Sequence, residues 1–233
     1  MKDKRQAKGF LGLYLIAGIL IVIGMTLTLG EIAEDVRNGE PLTVVDVQLS
    51  NWLHMHASAP LTSSMLLITF FGSTALVSSL AVLFGLYLLY RRQPYWLTAM
   101  ALSVFGGMGV NKLLKFVVHR ARPHFNDPIL SLTSYSFPSG HTMMATVLYG
   151  VLAVYIVART KQTRWRVLVI LSACLMITLV GFSRIYLGAH YLSDVLAAMA
   201  EGLAWLSLCL TAVYSVWRRR QQSLVEDLRS SVD

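Results

Sequence analysis

Long runs of apolar residues, separated by short polar segments, make up most of this chain. Several runs reach the roughly 20 residues that a helix needs to cross the hydrocarbon core of a bilayer. The pattern predicts six membrane-spanning helices, at about residues 10–29, 64–90, 95–117, 141–157, 167–182 and 191–217. We therefore expect an all-α integral membrane protein, a six-transmembrane-helix bundle in which residues 1–233 form a single domain.

A shorter segment of mixed polarity, residues 43–57, follows the first predicted span. It contains Trp52, and tryptophan is enriched at the depth of the lipid headgroups. Thr43 and Asp46 resemble a helix-start signal placed ahead of apolar residues. We expect a short interfacial helix here, and we interpret His54 and His56 as polar residues of the interface.

Composition supports a membrane protein and excludes several other classes. The chain is 55% hydrophobic and 14% charged, whereas soluble domains are about a quarter charged. Its formal net charge of +8 does not indicate nucleic-acid binding, because the basic residues flank the apolar runs. Cys174 and Cys209 lie within apolar runs and are expected to pack as small hydrophobic residues, with no disulfide. No cleavable signal peptide is predicted, because the first apolar run is too long.

The basic residues predict how the spans are oriented. They cluster at the amino terminus, at Arg91 and Arg92, between Arg159 and Arg166, and at Arg218 to Arg220. Six spans place all these clusters on one side, which the positive-inside rule assigns to the cytoplasm. Both termini are therefore expected in the cytoplasm, and the polar segments after the third and fifth spans are expected on the outer face.

The first of three polar clusters on that outer face includes Lys115, Arg122 and Pro123. Lys115 and Arg122 are seven residues apart, so on a helix their side chains share a face. Pro123 disfavours helical geometry at Arg122, so the helix is expected to end there. Taken alone, such residues could equally snorkel towards lipid phosphates.

The second cluster opens the fourth span with Ser139, Gly140 and His141. A helix that begins at a turn of small residues presents free backbone N–H groups and the positive end of its dipole, which together bind anions. Ser139 adds a hydroxyl, and His141 can exchange a proton near neutral pH. Taken alone, this is also compatible with an ordinary helix cap beside an interfacial histidine.

The third cluster lies between the last two spans and contains Arg184, Gly188, His190 and Asp194. His190 and Asp194 are four residues apart, so on a helix the carboxylate can orient the imidazole. Gly188 permits a turn that brings Arg184 to the same place. Together the three clusters predict a polar pocket for a phosphate, because cations that each cost about 2.5–3.5 kcal/mol at the bilayer centre need an anion among them.

The residues match three sequence elements of one known family. Lys115 to Pro123 reads K-x6-R-P, Pro138 to His141 reads P-S-G-H, and Ser183 to Asp194 reads S-R-x5-H-x3-D. In this order and spacing, the chain resembles the type 2 phosphatidic acid phosphatase superfamily, and its six-span layout is similar to the bacterial lipid phosphatases. The resemblance covers nearly the whole chain and implies phosphate hydrolysis through a phosphohistidine.

The resemblance implies a role for each matching residue. His190 is the expected nucleophile, Asp194 orients it, and His141 is the expected proton donor. The remaining expected site residues bind the phosphate: Lys115, Arg122, Ser139, Gly140 and Arg184. The scheme needs no metal and no cofactor, and no cluster of Asp, Glu, His or Cys in the sequence has the spacing of metal ligands.

Other charged residues lie near these elements without matching them. For Lys112, His119, Arg120 and His124 we favour supporting or headgroup-contact roles. Glu201 stands alone in the sixth apolar run and is expected to face the bundle interior or a polar partner.

We therefore expect a lipid phosphatase of the bacterial inner membrane, with its site on the outer face. Its substrate could be undecaprenyl diphosphate, phosphatidylglycerophosphate or phosphatidic acid. The same site could instead transfer phosphate to a lipid acceptor, and a transporter of a phosphorylated solute is the alternative from another class. The expected partners are the substrate and membrane lipids, with no nucleic acid, and the oligomeric state stays open.

Overall fold

The computed structural model describes residues 2–39, 41–130 and 132–230, and the side chains of residues 15–39, 41–130 and 132–223. Within these ranges the chain forms nine α-helices and one π-helical segment and contains no β-strand, which confirms the all-α prediction. The α-helices are α1 (Lys2–Asn38), α2 (Pro41–Met55), α3 (Ala59–Phe70), α4 (Thr74–Tyr90), α5 (Pro94–Ala101), α6 (Gly107–Val118), α7 (Gly140–Arg159), α8 (Thr163–Tyr186) and α9 (Leu192–Ser230).

Six helical stretches within the described ranges are long and apolar enough to cross a membrane, as predicted. They cover residues 15–38, 59–90, 94–118, 140–159, 163–186 and 192–223. The second stretch consists of α3 and α4, and the third of α5, the π-helical segment Leu102–Gly106 and α6. The helix of the first stretch continues to Asn38, beyond the predicted residue 29, because the acidic segment contains helix-forming Glu and Ala residues. It ends before Gly39, whose φ of +74° only glycine adopts easily.

The predicted short helix after the first span is α2. Its valines and Trp52 are largely exposed, whereas Asp46, Ser50 and Leu53 are buried. The interpretation of Asp46 as a start signal for this helix is wrong. Helix α2 already begins at Pro41, and the Asp46 carboxylate accepts a hydrogen bond from the backbone N–H of Ser193, at 2.9 Å, just inside the start of α9.

Helix α7 lies at the centre of the bundle and packs against α8 and α9. Its buried residues Met143, Val147 and Val151 form a core with residues of α4 and α9. Gly202 of α9 allows this packing, because a Cβ atom there would lie 2.7 Å from the Cβ of Thr146. The start of α7, which carries the Ser-Gly-His cluster, is thereby fixed in the middle of one end of the bundle.

The third span is rich in glycine, and only some of these glycines allow close packing against α9. A Cβ atom at Gly106 would lie 2.7 Å from the Trp205 ring, whereas nothing lies within 4 Å of such an atom at Gly109. The Trp205 indole also donates a hydrogen bond of 3.0 Å to the carbonyl of Leu102, at the start of the π-helical segment. Cys174 and Cys209 are both free thiols.

Candidate active site

Six segments meet at one end of the bundle: the end of α6, the following loop of residues 119–139, the start of α7, the end of α8, the turn of residues 187–191 and the start of α9. They carry all eight residues predicted for the site. His141 lies close enough to Lys115, Arg122, Arg184 and His190 to interact with them electrostatically. The structure therefore brings the three sequence clusters together in space.

Lys115 and Arg122 meet in a way that differs from the prediction of a shared helix face. Helix α6 ends at Val118, because His119 adopts a left-handed conformation with φ of +53°. Arg122 consequently lies in the loop. The two side chains approach through the carbonyl of Tyr135, which accepts hydrogen bonds from Lys115 Nζ at 2.8 Å and from an Arg122 Nη at 3.2 Å.

Arg122 is held by several other acceptors. Its guanidinium donates to the carbonyl of Ser134 at 2.6 Å and to the carbonyl of Ala189 at 2.5 Å, and one Nη lies 3.2 Å from His190 Nε2. Burial lowers the pKa of Arg122 from its ordinary value, and the Asp194 charge partly opposes this effect. The guanidinium remains charged, since arginine is not deprotonated in proteins, and so places a fixed positive charge beside His190.

The Ser-Gly-His cluster forms the start of α7. Ser139 is fully buried at the N-cap position, and its N–H donates to the backbone carbonyl of Asp194 at 3.1 Å. Its hydroxyl accepts a hydrogen bond from the Thr142 hydroxyl at 3.0 Å. The first N–H groups of a helix have no partner within the helix and attract anions. Gly140 and His141 occupy this first turn, next to the cations.

The turn between α8 and α9 positions His190. The Arg184 carbonyl accepts hydrogen bonds from the N–H groups of Ala189 and His190, which closes the end of α8. Gly188 has a φ of +65°, and a Cβ atom there would lie 2.8 Å from the Phe125 ring. Both the conformation and the close approach require glycine, as the sequence predicted.

His190 and Asp194 approach as predicted, although His190 lies before α9 and not on it. His190 Nδ1 is 3.4 Å from Asp194 Oδ2, which is longer than a strong hydrogen bond. The same carboxylate oxygen accepts from the Tyr191 N–H at 2.9 Å and from the Ser136 hydroxyl. Asp194 therefore caps the start of α9 and faces the imidazole at the same time.

The environment of His190 keeps its imidazole neutral. Burial of the ring, only partly opposed by Asp194, lowers the pKa of His190 to about 3. A neutral imidazole carries its proton on one nitrogen only. With Nδ1 turned towards the carboxylate, the lone pair belongs on Nε2, which is the nitrogen beside Arg122.

Arg184 is almost fully buried, with 4% of its surface exposed. One Nη donates to the Thr69 hydroxyl at 2.9 Å. Its Nε is also buried and makes no hydrogen bond to any residue that the structure describes. Because an unpaired buried donor costs free energy, this guanidinium is suited to an anionic acceptor.

The sequence predicted a supporting or headgroup-contact role for Arg120 but no link to Asp46. The Arg120 guanidinium hydrogen-bonds to the carboxylates of both Asp46 and Asp194. Asp46 is fully buried. The sequence does contain a signal for Asp46, because it is a lone aspartate among valines. If such a carboxylate is buried with its helix, it requires a hydrogen-bonding or charged partner.

Glu201 and His54 each have a polar partner near the site. Glu201 is buried and accepts a hydrogen bond of 2.8 Å from the Asn111 amide, which confirms that it faces a polar partner. His54 Nε2 lies 2.9 Å from Asp127 Oδ1, and its ring stacks on Phe125 at 4.0 Å. His54 therefore attaches the loop of residues 119–139 to α2.

A family model described as the PAP2 superfamily matches residues 95–218. Phosphatidylglycerophosphatase B of Bacillus subtilis is 36% identical over 138 residues, which are 58% of this chain and 67% of that protein. The lipid A 1-phosphatase of Rhizobium etli is 37% identical over 121 residues, 48% of this chain and 47% of that protein. This chain therefore matches less than half the length of the latter relative.

Two solved structures share the fold. A transmembrane PAP2-type phosphatidylglycerolphosphate phosphatase from Bacillus subtilis superposes with a TM-score of 0.74 and 28% identity, covering 85% of this chain and 96% of that one. Aquifex aeolicus LpxE superposes with a TM-score of 0.56 and 20% identity, covering 71% of this chain and 94% of that one. At 20% identity the second likeness concerns the fold alone.

We predict that inorganic phosphate stabilises the detergent-solubilised protein against thermal unfolding, because an anion would relieve the repulsion among Lys115, Arg122 and Arg184. Stabilisation by a ligand at 100 times its dissociation constant is about 2.7 kcal/mol. Lys115→Gln should reduce the rise in melting temperature that phosphate causes. Lys112→Gln, which changes an exposed lysine of the same helix, should leave that rise unchanged. Equal rises in both variants, or the same rise with chloride at matched ionic strength, would contradict a phosphate pocket.

Proposed function

The chain belongs to the PAP2 superfamily, and on this basis we propose that it hydrolyses the phosphate of a membrane lipid through a phosphohistidine intermediate. One observation carries the proposal. The neutral His190 imidazole directs Nε2 towards the Arg122 guanidinium, 3.2 Å away, while Asp194 lies behind Nδ1. A nucleophile oriented by a carboxylate and facing a phosphate-binding cation is the arrangement that covalent phosphoryl transfer requires.

In the first proposed step, His190 Nε2 attacks phosphorus and forms a P–N bond while the P–O bond to the lipid breaks. His141 donates a proton to the leaving oxygen. Asp194 stabilises the positive charge that develops on the imidazole. In the second step His141 takes a proton from water, the water oxygen bonds to phosphorus, and the P–N bond breaks to release inorganic phosphate. Such proton transfer typically contributes about 10²–10⁴-fold to the rate.

The three cations would neutralise the nonbridging phosphate oxygens in both steps. Lys115 supplies a point charge, whereas Arg122 and Arg184 supply planar, forked donors that match phosphate oxygens. Ser139 and the backbone N–H of Gly140 would add donors at the start of α7. Fixed donors of this kind provide most of the stabilisation in phosphoryl transfer. In this proposal the cations supply the charge that Mg²⁺ supplies in other enzymes, so the reaction is independent of metal ions.

We propose that residues 1–233 act as one membrane-embedded phosphatase domain. The family model matches α5 to α9, but helices outside that region also contribute to the site. Thr69 of α3 binds Arg184, and Asp46 of α2 binds Arg120.

The proposed substrates are lipids with a terminal phosphate or diphosphate. The relatives are named a phosphatidylglycerophosphatase, a lipid A 1-phosphatase and, in Sulfolobus acidocaldarius at 29% identity over 136 residues, an undecaprenyl-diphosphatase. Each of these names describes a phosphate on a membrane lipid. A site at the end of the bundle would let the lipid tail stay in the bilayer while the headgroup reaches His190. We accordingly propose phosphatidylglycerophosphate, undecaprenyl diphosphate and phosphatidic acid as candidate substrates.

We further propose that the protein resides in a bacterial inner membrane with both termini in the cytoplasm. The positive clusters support this orientation, because they flank the ends of the spans opposite the site. The active site would then face the outer leaflet.

The first test is phosphate release by the purified protein from the three candidate lipids and from a water-soluble phosphate ester. We expect release from at least one lipid, and we expect His190→Ala to reduce it by roughly 10³-fold or more. His124→Ala, which changes an exposed histidine of the loop of residues 119–139, should have little effect. Turnover retained by a folded His190→Ala protein would mean that the nucleophile lies elsewhere.

The second test is removal of divalent cations. Phosphate release from phosphatidic acid should continue unchanged in excess EDTA, because Lys115, Arg122 and Arg184 supply the positive charge. Activity that disappears with EDTA and returns only on addition of Mg²⁺ would exclude the metal-independent mechanism.

The third test concerns orientation. The background protein has Cys174 and Cys209 replaced by serine. In this background, Asn126→Cys introduces one cysteine into the loop at the site. Gln162→Cys introduces one into the loop at the opposite end of the bundle. A membrane-impermeant maleimide should label the first cysteine in intact cells and the second only after permeabilisation. The reverse pattern would place the site in the cytoplasm.

A further inference from the structure

Arg120 connects two buried carboxylates that come from different parts of the chain. One Nη donates to Asp194 Oδ1 and to the Ser193 hydroxyl, both at 2.6 Å. The other Nη donates to Asp46 Oδ2 at 2.8 Å. The guanidinium also stacks over the Tyr191 ring, with Cζ 4.3 Å from the ring centroid. The planar fork of arginine can bridge two carboxylates in this way, whereas the single ammonium of lysine cannot reproduce the geometry.

Asp46 completes this connection from the side of α2. Its Oδ1 accepts from the Ser193 N–H at 2.9 Å, and its Oδ2 accepts from Arg120 and from the Ser193 hydroxyl. The side chain is fully buried. Asp46 therefore binds the first turn of α9 directly and a second time through Arg120.

Because of these bonds, the Asp194 carboxylate has little freedom to rotate. Arg120 holds Oδ1, while the Ser136 hydroxyl and the Tyr191 N–H hold Oδ2, the oxygen that faces His190 Nδ1. Without Arg120, Oδ1 would lose its only hydrogen bond among those made by the described residues. The carboxylate could then turn away from the imidazole.

The charges of the network reinforce one another. Burial alone would lower the pKa of Arg120, but the charges and hydrogen bonds of Asp194 and Asp46 outweigh this effect and raise it. The guanidinium therefore stays positive between two carboxylates. A buried charge that loses its partner is strongly unfavourable, so removal of either Asp46 or Arg120 is expected to disturb Asp194.

We propose that Arg120 and Asp46 are positioning residues for His190, acting through Asp194, and that α2 thereby forms part of the active site. Asp46 lies outside the three sequence elements that suggested the phosphatase, and Arg120 occupies an unspecified position within the first of them. The inference rests on the proposed function, because it assumes that His190 is the nucleophile. Helix α2 would then help to align the reacting imidazole through its buried face, while its valines and Trp52 are exposed on the other face.

A positioning role differs from a purely structural one in what a mutation changes. Loss of fold reduces the fraction of active protein, whereas loss of alignment slows the chemical step in every molecule. Single-turnover kinetics with saturating enzyme in excess separates the two effects, because the limiting rate constant does not depend on the folded fraction. Phosphatidylglycerophosphate in mixed micelles is the probe.

Arg120→Gln and Asp46→Asn should each lower the single-turnover rate constant by about 10- to 100-fold, by analogy with the loss of outer-shell hydrogen-bond partners of metal-binding residues. Inhibition by inorganic phosphate should stay at the wild-type level, since the cations that bind phosphate are unchanged. Arg120→Lys should fall between wild type and Arg120→Gln, because it keeps the charge and loses the fork. Asp46→Asn has the same shape as the original residue and provides the test if Arg120→Gln does not fold.

Asp127→Asn is the matched control. Asp127 also connects the loop of residues 119–139 to α2, through His54. It is exposed and does not contact Asp194. The rate constant of the Asp127→Asn variant should therefore equal that of wild type. Wild-type limiting rate constants in Arg120→Gln and Asp46→Asn, with only the yield of folded protein reduced, would overturn the positioning role. A reduction in Arg120→Gln alone would remove α2 from the proposal. Absence of phosphate release from the wild-type protein would instead overturn the proposed function and this inference with it.

Discussion

The carboxylate of Asp194 is the point on which the arrangement of the site depends. It is fully buried, and such a charge is tolerated only with complete hydrogen bonding. Its donors come from Arg120 and Ser136 of one loop and from the N–H of Tyr191, while its backbone carbonyl accepts from Ser139 at the start of α7. Asp194 thus fixes the relative positions of two helix starts and a loop through its side chain and its backbone carbonyl together.

The apolar bundle and the polar site have opposite physical requirements, and the fold separates them along the helix axes. The core around α7 is made of methionine, valine and leucine side chains that need no partners. The cations collect where helices end, because free N–H groups, carbonyls and loop residues are available there. A charge placed half a helix deeper would cost several kcal/mol, roughly 2.5–3.5 on insertion scales. The membrane therefore restricts this chemistry to one end of the bundle.

The sequence predicted the helical class, the six spans and the short helix after the first, because long apolar runs leave few alternatives in a bilayer. It also predicted that three clusters meet, and the structure brings Lys115, Arg122 and His190 together. It could not show how they meet. The left-handed turn at His119 ends α6 early, and no local pattern announces this turn. The link from Asp46 to Arg120 joins residues 74 positions apart, and periodicity within a single helix carries no information about such a contact.

The carbonyls of residues 134–136 already occupy two of the cations. Lys115 and Arg122 both donate to the Tyr135 carbonyl, and Arg122 also donates to Ser134. Under the proposed function, an arriving anion would have to displace these neutral acceptors, so its binding to Lys115 and Arg122 would exchange hydrogen bonds without adding to their number. The same carbonyls would take back these donors when inorganic phosphate leaves. Tight holding of a ground state does not speed a reaction, and a loop that offers substitute acceptors would favour departure of the product.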